Sequence, residues 1–119
     1  MGGAYACAVR DTTPLITAVR LLADRLRTLP ESALRRGAAA EGLSLARELA
    51  ARAQRLEFPG RTPCELPDAG PFAAGDQLAV AGHDLAAVLR EVDAPGELGA
   101  AVGEVEAAAD RVAAVTTRR

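Results

Sequence analysis

The chain has 119 residues, half of them apolar, and a formal net charge of −2 at pH 7. That length is one domain's worth, and the near-neutral charge gives no general pull towards nucleic acid or a charged membrane surface. Charges and glycines cut every apolar run well short of the 18 or so residues that a membrane-spanning helix needs.

Ala supplies 28 of the apolar residues, against 15 Leu, 9 Val and one Ile, with two Phe, one Tyr and no Trp. Such a core is made of thin layers, stabilised by close helix approach and high helix propensity rather than by large buried side chains. All fourteen basic residues are Arg, and Lys and Asn are absent. The codons of both missing residues are AT-rich, so the composition points to a GC-rich genome such as an actinobacterium's. Many of the Arg residues therefore fill surface positions that Lys takes elsewhere. The halves differ in sign: residues 1–61 hold 10 Arg against 6 acids, and residues 62–119 hold 4 against 10, a split of +4 and −6. Opposite signs favour docking of the two halves, or head-to-tail association of two chains.

Met1 to Val9 has no basic leader and runs directly into Arg10 and Asp11, unlike a secretion signal, so a soluble cytoplasmic protein is expected. In that compartment Cys7 and Cys64 are expected to be reduced thiols, the alternative being a bridge from the amino-terminal arm to the central loop. Residues 1–11 carry Gly2 and Gly3 and no sustained period, and read as an arm. Thr12 and Thr13 before Pro14 form a hydroxyl cap with proline at the first helical position, which starts a helix. Its stripe is Leu15, Val19, Leu22, Leu26 and Leu29. Pro30 ends it, because proline disfavours helical geometry in the residue before it.

A second helix is predicted from about Pro30 to Leu56, with Leu34, Ala38, Gly42, Leu45, Leu49, Arg52 or Ala53, and Leu56 on its seam. Small residues in its first half admit a close neighbour, and a kink is expected near Gly37 or Gly42. Residues 57–71 carry prolines at 59, 63, 67 and 71, which no helix survives. They read as a long Pro-rich crossing loop that packs on the helices through Phe58, Leu66 and Phe72. The third helix opens at Pro71 and Phe72, with Leu78, Gly82, Leu85, Leu89 and Val92 on its seam and Asp76, His83 and Arg90 on an outer flank. Asp93 and Pro95 mark the fourth, whose seam is Leu98, Val102, Val105, Ala109 and Val112. Gly99 and Gly103 beside it suggest close packing within the domain. The pattern predicts an all-α single domain over 1–119, an up-and-down antiparallel four-helix bundle.

His83 is the one histidine and the one side chain that titrates ordinarily near neutral pH. It falls one step outside the buried stripe, at mid-helix. His83-Asp84-Leu85, followed by Val92, Ala94, Leu98 and Glu106, resembles the way histidine phosphotransfer domains continue after their phosphorylated histidine. The resemblance spans about 25 residues. It departs from the family pattern at Ala86 and Ala87, where Lys and Gly are usual. It implies a helical signalling module with His83 as phosphoryl acceptor; Ala86 and Ala87 leave no obvious cation to steady the phosphoryl group, Arg90 being two turns away, and crowd the approach of a receiver domain.

Other chemistries lack their residues. A dinuclear metal bundle needs paired Glu-x-x-His segments, and none is present. A zinc site from Cys7, Cys64 and His83 would join three distant segments without a short ligand spacing. Cys64 as a nucleophile has no amide-rich turn to serve as an oxyanion site. The arginines of the first half, Arg20, Arg25, Arg27, Arg35, Arg36, Arg47, Arg52 and Arg55, spread around their helices and have almost no aromatics to accompany them, so nucleic acid is not the expected partner. The reading is a small non-enzymatic protein, without a cofactor, that contacts another protein or a second copy of itself. Leu43, Leu45, Leu49 and Leu56 of the long second helix are its expected contact residues if the short first helix leaves them uncovered. The histidine-phosphotransfer-like module using His83 is the alternative.

Overall fold

The computed structural model describes residues 11–117, and within them the chain is all-helical, with no strand. The expected arm and the Cys7 thiol lie outside the described residues, Asp11 excepted. Four long helices account for most of the rest: α1 (Thr13–Thr28), α2 (Ala39–Glu57), α3 (Ala74–Glu91) and α4 (Glu97–Thr116).

α1 begins at Thr13 with Thr12 as its N-cap, but no threonine hydroxyl caps it; Asp11, one residue ahead of the N-cap, accepts through Oδ1 from the Thr13 amide at 3.0 Å. Thr12 is buried, and its Oγ1 instead accepts from Arg90 Nε at 3.2 Å. Leu29 is extended before Pro30, as the Leu-Pro step requires. The lead-in to α2 is a turn over Glu31–Ala33 and a π-helical stretch over Leu34–Ala38. The kink falls at Gly37, whose φ of 143° is closed to residues with a Cβ. Gly42 serves close approach, since a methyl there would stand 2.7 Å from Leu26 Cδ1.

The most extensive packing joins α2 and α3, which follow one another in sequence, whereas the other sequential pairs, α1–α2 and α3–α4, touch little. α3 lies along both α1 and α2, and α4 packs on the same two, while α1 and α2 touch sparsely, as where Leu26 meets Gly42. Contacts fix the directions. A methyl at Gly75 would meet Ala23 O at 2.9 Å and one at Gly82 would meet Val19 at 2.6 Å, while Arg90 reaches Thr12, so α1 and α3 are antiparallel. Gly42 lies against Ala74, whereas Glu57 and Glu91 line one groove, so α2 and α3 run the same way. Arg111 bonds Glu41 and Arg52 bonds Glu97, so α4 runs against α2. Strict up-and-down alternation therefore fails at the α2–α3 step.

The reason is the Pro-rich loop. It returns the chain along the whole of α2, pinned by Gln54 Nε2 to Cys64 O (3.2 Å), by the Cys64 amide to Gln54 Oε1 (2.8 Å) and by Arg47 Nε to Leu66 O (2.8 Å). After a turn at 58–61, the nine residues 62–70 reach up to about 30 Å, enough for the roughly 28 Å of α2. Gln77 of α3 donates to Pro67 O at 2.9 Å where the loop arrives.

One core joins all four helices, with Leu15, Leu49, Leu78, Leu85, Val105 and Val112 fully buried. Leu29, Leu56, Val92, Leu98, Val102 and Ala109, expected on seams, are only partly buried. α4 turns Ala101, Val105, Ala108 and Val112 inward, keeping Val105 and Val112 of the expected seam but replacing Val102 and Ala109 by the residue before each. Gly99 and Gly103 consequently face open space, and a methyl at either would meet nothing within 4 Å; they do not mark close packing.

Candidate functional site

The four leucines expected to form a contact surface divide. Leu45 and Leu49 lie in the chain's own core, at 4% and 0% exposure, and have no surface to offer a partner. α3 and α4 cover them, which a reading of α1 as too short a cover did not anticipate. Leu43 and Leu56 are half-buried. The large apolar side chains most open to solvent are Leu21 on α1 (69%), Phe72 ahead of α3 (65%) and Val80 on α3 (62%).

Arg52 is where the opposite signs of the two halves meet. It extends from α2 with 18% of its side chain exposed, donating through Nε to Glu104 Oε1 at 3.0 Å and through Nη1 to Glu97 Oε1 at 2.9 Å. Glu48, one turn back on α2, stands 3.2 Å from Nε. Burial works against its charge, and the hydrogen bonds and charges of Glu104 and Glu97 more than offset this, holding its pKa above the ordinary value. Arg27 of α1 likewise bonds Asp76 of α3 at 2.9 Å and Asp24 at 2.9 Å, and its pKa is raised, the Asp76 hydrogen bond acting most strongly. Arg35 pairs with Glu31, and Arg55 with Glu48. Much of the first half's positive charge is thus engaged within the chain rather than gathered into one stripe.

Several grooves flank this scaffold among the described residues. The largest, about 720 Å³, lies between α2 and the Pro-rich loop and is lined by Leu43, Arg47, Arg55, Cys64, Glu65 and Asp68 among others. Cys64 is a free, exposed thiol there. A second, about 330 Å³, lies between α1 and α3 and takes in Ile16, Val19, Arg20, Arg27 and His83. His83 is exposed at mid-helix, as expected. The flank of Asp76, His83 and Arg90 is not turned away from the fold: Asp76 and Arg90 both reach across to α1. Arg20 and Arg27 join His83 from another helix, which spacing along α3 could not reveal.

The third groove runs between α2 and α3 in two stretches of about 240 and 440 Å³ that share Ala50, Leu66 and Asp84. Its floor is apolar, and Val80 stands open at its side. Reading the sequence alone missed it, because it exists only where two helices of the same direction lie side by side. Among the described residues, no three His, Cys, Asp or Glu side chains gather to hold a metal, and no helix is long and apolar enough to cross a membrane.

No protein-family model matches the chain, and no curated protein or solved structure matches it significantly.

Proposed function

We propose that this chain is a small non-enzymatic protein built as a four-helix bundle, acting through contacts with another protein or with a second copy of itself, in the cytoplasm. The observation that carries the reading is the face of α3 that bears Val80 at 62% exposure beside an apolar-floored groove, with Phe72 at 65% exposure just ahead of the helix. A contiguous exposed apolar patch marks a contact surface, and Val80 extends the apolar floor of the groove to the surface. The test compares wild-type chain with the Val80→Asp, Phe72→Asp double variant by light scattering and by capture from the native host. The reading expects self-association or a companion that the double variant loses at unchanged thermal stability. A wild-type chain that stays monomeric at high concentration and recovers nothing would overturn it.

A second reading has its own observation. His83 sits exposed in the α1–α3 groove with Arg20, a cation able to steady a phosphoryl group in place of the lysine missing at Ala86, beside Arg27, which Asp76 and Asp24 hold. In this reading a ring nitrogen of His83 takes the phosphoryl group of phosphoramidate, releasing ammonia. A phosphohistidine signal by 31P NMR, absent from His83→Gln, supports it, and no signal with the wild-type chain sinks it.

A further inference from the structure

We infer that the groove between α2 and α3 is a docking site for a basic amphipathic helix of a partner protein. The inference rests on the protein-contact reading above and names the surface and the chemistry of what it receives.

The groove's floor is made by Ala50, Ala53, Leu66, Ala81 and Val88, with Val80 exposed at one side. Its rim is of one sign. Glu57, Asp84 and Glu91 line it, and none of them makes an ion pair or side-chain hydrogen bond among the described residues. No Arg or His lines either stretch. The cations near this end line neither stretch: Arg90 bonds Thr12, Arg55 of the last turn of α2 pairs with Glu48, and Arg61 lies over the ring of Phe58 at 5.2 Å.

The direction of the helices adds to this. Because α2 and α3 run the same way, their carboxyl termini, at Glu57 and Glu91, fall at the same end of the groove. Each terminus contributes roughly half a negative charge from its unpaired carbonyls, on top of the three carboxylates. An up-and-down arrangement would have cancelled one terminus against the other.

The shape suits a helix. From Gln77 to Glu91 the groove follows α3 for about 21 Å, the length of some 14 helical residues. Asp84 and Glu91 stand seven residues apart on α3, two turns, so a partner with apolar residues on one stripe and cations flanking it every seven meets both. The larger groove along the Pro-rich loop has no such preference, because its Arg47 and Arg55 are balanced by Glu65 and Glu48 beside them.

The probe is a labelled amphipathic Leu/Lys peptide of about 14 residues, with its Leu/Glu counterpart as control. Anisotropy at low salt is expected to show binding of the Leu/Lys peptide and none of the Leu/Glu peptide. Neutralising the rim with Glu57→Gln, Asp84→Asn and Glu91→Gln is expected to weaken binding about tenfold, and so is raising salt several-fold. Amide chemical-shift changes should fall on α2 and α3 around Ala50, Val80 and Val88. Val80→Ser, an exposed change that leaves the core intact, should weaken binding without altering thermal stability. Absence of binding, binding indifferent to the three neutralised carboxylates, or shifts confined to α4 or to the Pro-rich loop would overturn the inference. If the chain then still loses self-association or a captured companion on Val80→Asp, Phe72→Asp, the protein-contact reading survives without this partner chemistry.

Discussion

Arg52 on α2 and Glu104 on α4, which stand 52 residues apart in sequence, are joined by a hydrogen bond from Nε to Oε1 of 3.0 Å, and the same guanidinium also holds Glu97. One partly buried cation thus ties down two carboxylates of a helix that the sequence reaches last. Replacing Arg52 with Ala leaves both carboxylates partly desolvated without their donor. The expected loss is about 1–3 kcal/mol in urea unfolding. A change below about 0.5 kcal/mol would mean that water replaces the guanidinium freely.

Gly82 and the pair Gly99 and Gly103 should respond to alanine with opposite signs. A methyl at Gly82 would stand 2.6 Å from Val19 Cγ1, so Gly82→Ala must push α1 and α3 apart and is expected to cost about 1–3 kcal/mol. At Gly99 and Gly103 the space is open, and each change to Ala is expected to add about 0.5–1 kcal/mol through helix propensity. Thermal melts of the three single variants check this directly, and a stabilising Gly82→Ala would contradict the α1–α3 packing.

Leu49→Ala and Leu43→Ala separate core from surface on one helix. Leu49 is fully buried, and its truncation is expected to cost about 2–5 kcal/mol. Leu43 is half-buried on the loop side, and its loss should cost less than about 1.5 kcal/mol. Equal losses would show that the loop packs on α2 as tightly as α3 does.

Asp11 makes the start of α1 sensitive to acid. Its carboxylate accepts from Thr13, which holds its pKa below the ordinary 3.8. A depressed folded-state pKa contributes stability that is present above the unfolded value and lost as pH falls through the folded one. The melting-temperature gap between wild type and Asp11→Ala is therefore expected to be constant above about pH 5 and to close as pH falls below about 4. A gap that persists unchanged at lower pH would rule out the ionised acceptor.

The stripes of α1, α2 and α3 were legible because Leu at steps of three and four marks a buried face without ambiguity, and Leu15, Leu22, Leu45, Leu49, Leu78 and Leu85 are all in the core. α4 was read partly in phase: Val105 and Val112 are in the core as expected, but Leu98, Val102 and Ala109 are not. Its apolar residues are mostly Ala and Val, which mark a face weakly, and Ala101 and Ala108 go inward where the larger Leu98 and Val102 only half do. Direction was not legible from the helices, since a stripe is the same read upwards or downwards. It lay in the loop: prolines at 59, 63, 67 and 71 keep an extended path long enough to carry the chain back along α2. The start of α1 was read at the right threonines but with the wrong acceptor, because burial turns the Thr12 hydroxyl to Arg90 and leaves Asp11 to meet the Thr13 amide. His83 was correctly placed at an exposed mid-helix position, while its neighbours Arg20 and Arg27 come from a helix more than fifty residues earlier.

Because α1 and α2 scarcely meet except near Leu26 and Gly42, the first half of the chain has no core of its own to settle into. α1 waits for α3, and α2 for α3 and α4, across intervals such as the 49 residues from Arg27 to Asp76 and the 70 from Glu41 to Arg111. Loops of that size must close before α1 and α4 are covered, so the chain is expected to fold more slowly than helical proteins whose partners are all neighbours in sequence. On a ribosome, its amino-terminal half stays unprotected until the return strand and α3 have emerged.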